Sequence, residues 1–225
     1  MPYSGKSEYS HGIQAYFWEM TEDSDTLQAM CAENGLPTDC EAKAESRRRE
    51  IFAERLSLRH IFSENTSLEH NTDLAPLLAR TDSRISIAHA RGRLCVAVSQ
   101  AITAFGIDLE TYRPRVLNVR TGYLSETERR WIGETSVMAH IVAWTAKEAV
   151  FKAISDRSLV SDYCNQIVLL PYELDELKAT ELISGAKPGG CGVMTINHEA
   201  RFETRSYSLL TEISAGYIFT LAVEL

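Results

Sequence analysis

Two short segments hold the residues best suited to chemistry. In Gly106-Ile107-Asp108-Leu109-Glu110, the two carboxylates lie two positions apart. On a strand, Asp108 and Glu110 would point to one face. Carboxylates side by side repel unless a cation sits between them. A hard divalent ion bound through oxygen, such as magnesium, is the simplest candidate. The bland alternative is an edge strand with solvated acids. The second segment is Trp144-Thr145-Ala146-Lys147-Glu148-Ala149-Val150-Phe151-Lys152. Glu148 and Lys152 are four apart, hence neighbours on one helix face. As a surface ion pair they would contribute little. The stretch is otherwise apolar, however, so Lys147, Glu148 and Lys152 make one charged corner on a buried element. Together the segments offer three carboxylates and two lysines. Phosphoryl transfer needs such a set: a metal across phosphate oxygens, cations for the developing charge, and a base for the attacking hydroxyl.

Regular elements must position these residues. Residues 104–110 read as a strand, which Pro114 helps to end. Residues 139–154 are the most helical stretch, with Ile141, Trp144, Ala149, Val150 and Ile154 as its buried stripe. Ser125, followed by Glu126 and Glu128, is an N-cap signal for another helix. Upstream, residues 14–20 read as an opening strand, 21–42 as an acidic loop or short helix, and 64–82 as polar and irregular. Residues 41–63 predict a helix, with Ile51, Leu56, Leu58, Ile61 and Phe62 at roughly helical spacing. Ile85, Ile87 and His89 share one face of a strand, Arg91-Gly92 reads as a turn, and 94–99 as the returning strand. In the tail, strands are expected at 166–170, 200–209 and 215–224, with a turn over 185–192. Residues 84–99 and 205–224 echo each other: each is strand, turn, strand after a helix-rich stretch. The expectation is an α+β fold of two pseudo-symmetric halves, 1–103 and 104–225. Each is a small, mainly antiparallel sheet with a packed long helix. The active site would lie in the cleft between them, with the metal site carried by the second half.

Composition narrows the function. The 225 residues carry a formal net charge of −8, which disfavours general nucleic-acid binding because phosphate contacts need clustered cations. Arg47, Arg48 and Arg49 form one local basic cluster, either a solvated helix face or an anion site. No stretch is long and apolar enough to read as a membrane span. The N-terminal residues lack a basic region followed by an apolar core, and the five cysteines are scattered with no CxxC pair. These features set the expectation of a cytoplasmic protein without a zinc site or disulfide framework.

The GIDLE and WTAKEAxxK segments, in this order and roughly forty residues apart, resemble the two signature motifs of the 4'-phosphopantetheinyl transferase superfamily. The length and two-half layout resemble its Sfp-type branch. The resemblance covers about residues 45–154. It implies transfer of the phosphopantetheine arm of coenzyme A onto a serine of an acyl or peptidyl carrier protein. It further implies that Asp108, Glu110 and Glu148 hold magnesium, that Glu148 deprotonates the serine directly or through water, and that Lys152 steadies the transferred phosphate with Lys147 beside it. His89 stands where the family has a Ser-His-Ser element that contacts coenzyme A. The helix around Arg47, Arg48 and Arg55 resembles the family's Arg-rich helix, one of whose arginines would meet the 3'-phosphate. The chain departs from the pattern in two places. Ala88 and Ala90 replace the flanking serines, and the Gly-Lys-Pro element is absent, with Arg80 or Arg84 standing in for its lysine. A monomer is expected. The rival expectations are a non-catalytic carrier-protein or coenzyme A binding protein, and a different magnesium-dependent phosphotransferase or hydrolase.

Overall fold

Short strands from each half of the chain build two antiparallel sheets, each packed against a long helix. The computed structural model describes residues 3–62, 68–70, 76–78, 83–102, 104–185 and 192–225. Arg80 and most of the expected turn at 185–192 lie outside the described residues. The chain divides into two compact units, Met1–Thr103 and Ala104–Leu225.

The first unit runs β1 (Tyr3–Glu8), β2 (Gln14–Glu19), α1 (Ser24–Glu33), α2 (Glu45–Phe62), β3 (Leu68–His70), β4 (Pro76–Leu78), β5 (Arg84–Ala90) and β6 (Arg93–Ser99). Its main sheet has the order β1-β2-β6-β5, and β3 and β4 form a separate ribbon. All pairings are antiparallel. Trp18, Ile85, Leu94, Val96 and Val98 of the sheet, with Met20 just past β2, pack on Leu27 and Cys31 of α1 and Phe52, Ala53 and Leu58 of α2. Each fully buried leucine, valine or phenylalanine among them contributes about 1.5–3 kcal/mol. The acidic stretch expected as loop or short helix holds α1, because Asp23 accepts from the Thr26 N–H at 2.9 Å and caps its first turn.

The second unit runs β7 (Phe105–Glu110), a 3-10 stretch (Pro114–Gly122), α3 (Glu126–Ile132), α4 (Val137–Ala153), α5 (Tyr163–Gln166), β8 (Ile167–Leu169), α6 (Glu176–Ile183), β9 (Met194–Phe202), β10 (Arg205–Ser214) and β11 (Tyr217–Glu224). The sheet order is β7-β11-β10-β9-β8, antiparallel throughout. Helix α4 lies against β7 and β11, burying Ile141, Val142, Ala146, Ala149 and Val150. A column of polar groups crosses this core. His198 Nε2 lies 2.9 Å from Thr211 Oγ1, which lies 2.8 Å from Thr220 Oγ1, which donates to Thr145 Oγ1 of α4 at 2.9 Å.

The α+β class and the two antiparallel sheets agree with the sequence. The strands β1, β3 and β4 were not expected, and one tail strand differs. The single strand expected at 200–209 is a hairpin, β9 and β10, that turns at Glu203 with φ of 54°. Glycine usually takes such a φ, so the sequence lacks the usual turn signal there.

Candidate active site

Gly106 decides how near α4 can come to β7. A Cβ built on it would strike the Ala149 carbonyl oxygen and would lie 2.6 Å from the Ala153 nitrogen and 2.8 Å from the Lys152 carbonyl carbon. All three atoms are α4 backbone, so only glycine permits this approach. Asp108 and Glu110 follow Gly106 at alternate positions, on the face where α4 lies. Lys152, from the last turn of α4, therefore reaches Asp108, with Nζ 2.8 Å from Oδ1. Asp108 is 7% exposed, and its Oδ2 is buried with no hydrogen-bond partner. Burial raises the Asp108 pKa, Lys152 opposes the shift, and the nearby Glu148 charge adds to it. Burial also pushes Glu110 up to about 7, opposed by Arg113 and reinforced by Asp108. Arg113 donates to Glu110 and lies over the Trp144 ring, 5.4 Å from its centre. Glu148 accepts a hydrogen bond from the Tyr163 hydroxyl at 2.8 Å. Asp108, Glu110, Glu148 and Lys152 thus form one electrostatically linked group. Arg113 and Tyr163 join it, and the motifs did not reveal either residue.

Lys147 is elsewhere. Its side chain is fully buried; Nζ donates to Glu128 Oε2 and to the Cys164 carbonyl, both at 2.8 Å. Burial lowers its pKa, and Glu128 opposes the shift. Glu128 also closes the capping box of α3 with Ser125 and accepts from the Leu169 N–H at 2.8 Å. Lys147 therefore ties α4 to α3, α5 and β8. It does not sit beside Lys152, because the two positions lie five apart on the helix and point in different directions.

The remaining residues singled out in the sequence belong to the first unit, and two of the described ones share an acceptor. His89 Nε2 lies 3.0 Å from Glu54 Oε1, and Arg47 Nη1 lies 3.5 Å from the same oxygen. The His89 contact is an ion-pair distance without hydrogen-bond alignment. Arg48 pairs with Asp25 at 3.0 Å, and Arg55 donates to the Pro37 and Asp39 carbonyls at 2.8 Å. Arg84 opens β5 opposite Ser99. It is five residues from His89 and so on the other face of the strand.

Among the described residues, no group of three or more His, Cys, Asp or Glu side chains is arranged as a ready metal cage. Asp108, Glu110 and Glu148 each engage a protein donor of their own. The donor set nevertheless fits magnesium. All three residues offer carboxylate oxygens, which hard cations prefer. A buried, unpartnered carboxylate oxygen costs about 1–3 kcal/mol or more, and Asp108 Oδ2 is the atom through which a cation would relieve that cost.

Residues 104–179 match the family model of the 4'-phosphopantetheinyl transferase superfamily. The matched segment holds β7, α3, α4 and all six residues of the linked group. No curated protein matches the chain.

Proposed function

We propose that the protein transfers the 4'-phosphopantetheine arm of coenzyme A to a serine of an acyl or peptidyl carrier protein, as a monomeric, cytoplasmic enzyme of the two-half branch. The observation that carries this reading is the unpartnered Asp108 Oδ2 within a group of three acids and Lys152, inside the segment that matches the superfamily. Asp108, Glu110 and Glu148 would hold magnesium, which when bound supplies Lewis-acid charge to the diphosphate. The serine Oγ attacks the phosphorus next to the pantetheine arm. The bond from that phosphorus to the bridging oxygen breaks, and the oxygen leaves with 3',5'-ADP. Glu148 accepts the serine proton, oriented by the Tyr163 hydroxyl. Lys152 balances charge on the transferred group. The resemblance assigns coenzyme A contacts to His89 and to an arginine of α2, where Arg47, Arg48 and Arg55 each already engage a protein acceptor.

The test is mass spectrometry of a panel of apo carrier proteins incubated with coenzyme A and magnesium. The expected result is a gain of one phosphopantetheine on at least one carrier, lost in Glu148→Gln and in Asp108→Asn although both variants remain folded. No gain on any carrier would leave a non-catalytic binding protein. Release of inorganic phosphate from simple esters, with no carrier present, would indicate a different phosphotransferase or hydrolase.

A further inference from the structure

Three rings from three elements of the first unit meet beside a cavity. Tyr3 of β1 is the cross-strand neighbour of Trp18 on β2, and their ring centres lie 5.6 Å apart. His60, from the last turn of α2, stands 5.0 Å from Tyr3 and 6.0 Å from Trp18. The three planes do not form one stack. Tyr3 is tilted 56° from Trp18 and 39° from His60, and Trp18 and His60 are nearly perpendicular at 88°. Such a corner offers an incoming ring both a face and an edge, the two geometries that aromatic pairs prefer. The cavity measures about 430 Å³, within the range of small-molecule sites and far above a packing defect. Met30 of α1 and Leu56 of α2 give it apolar walls, and Arg59 gives it a fixed positive charge. No acid lines it among the described residues. Basic residues in the last turn of a helix also complement the helix dipole, which accounts for Arg59 and His60 near the end of α2. It does not account for a cavity of this size, nor for two rings of the sheet gathered around His60.

We propose that this cavity binds a planar aromatic carboxylate. The ring system lies in the corner made by Tyr3, Trp18 and His60, and the carboxylate meets the Arg59 guanidinium. The site is formed wholly by the first unit, so its occupation requires neither the acidic group around Asp108 nor the transferase reading.

The full-length protein is titrated calorimetrically with naphthalene-2-carboxylate, its neutral carboxamide, and its saturated counterpart decalin-2-carboxylate. Fluorine NMR of protein carrying 5-fluorotryptophan locates the probe, with the Trp18 resonance assigned through Trp18→Phe. Wild type is expected to bind the naphthoate with a Kd of about 0.1 mM, and each of the other two about tenfold more weakly. Arg59→Gln should bring the naphthoate to the level of the carboxamide and leave the carboxamide within about twofold. Tyr3→Ala, at an exposed position, should weaken both aromatic probes about fivefold without lowering the melting temperature. The Trp18 resonance should shift as the naphthoate saturates, with those of Trp131 and Trp144 unmoved. Lack of saturable binding up to about 5 mM would overturn the proposal. So would equal binding of acid and amide, an Arg59→Gln variant that binds as wild type does, a saturated probe that binds as well as the aromatic one, or shifts confined to Trp131 or Trp144.

Discussion

The two units follow one plan and fill it differently. In each, a strand leads to a long helix and later to a hairpin whose second strand pairs back with the first strand: β2, α2, β5–β6 in one, and β7, α4, β10–β11 in the other. Both hairpins close on two-residue turns that end in glycine, Gly92 and Gly216, with φ of 78° and 83°. Counting outward from these turns, Gln14, Tyr16 and Trp18 answer Gly106, Asp108 and Glu110, since they face matching positions of β6 and β11. In the first unit Tyr16 stacks on Trp18, with rings 6.1 Å apart, and Trp18 meets His60 of α2 edge-on at 6.0 Å. In the second, glycine takes the place of bulk, the helix backbone closes on the strand, and a lysine meets a carboxylate. One scaffold thus supports either an aromatic filling or a charged site, depending on three alternate residues of one strand.

The sharpest break in this comparison concerns the two lysines of α4. Among the described residues, the first unit has no ion pair as buried as Lys147–Glu128. Lys147→Met leaves Glu128 buried without its cation and is expected to cost about 3–5 kcal/mol in urea unfolding. Lys152→Ala, at a partly exposed position, should change stability far less while lowering carrier modification about a hundredfold. Equal effects on folding and modification in both variants would erase the distinction between a structural and a site lysine. Next in size, Gly106→Ala should cost about 2–3 kcal/mol, because α4 must lift from β7. The matching Gln14→Ala should cost under about 0.5 kcal/mol. Similar values would mean that close backbone approach is not what distinguishes the second unit. A pH-dependent effect involves the polar column. Burial lowers the His198 pKa to about 4 from an ordinary 6.5. Between these values the unfolded chain binds a proton that the folded one does not, so stability falls as pH drops through the window, by at most about 1.4 kcal/mol per pH unit. His198→Gln should remove that part of the slope, which denaturant midpoints at pH 7, 6 and 5 would reveal.

Much of this was legible in the sequence because it is local. The hairpin at 84–99, the helix through Trp144 and the GIDLE strand all announce themselves by periodicity and turn residues. Strand β1 did not, because it is largely exposed and mixes lysine, serine and glutamate without apolar alternation. Partnerships across long sequence separations were also hidden. Nothing near Lys147 names Glu128, nineteen positions back, nor does Glu148 announce Tyr163, fifteen ahead. The packing of α4 against its neighbours sorts the three charges of one helix segment into one tie and one site.

The hydroxyl column through the second core also has a direction. Thr145 donates its single proton to the Ile141 and Val142 carbonyls, so it can only accept from Thr220. Thr220, having donated, must accept from Thr211, and Thr211 in turn from His198 Nε2. The imidazole is thereby fixed as its Nε2–H tautomer by a helix carbonyl three side chains away. Its Nδ1, buried without a partner, is left a bare acceptor. A second proton on the ring would find nothing to receive its hydrogen bond, so the arrow set by α4 also keeps the ring neutral.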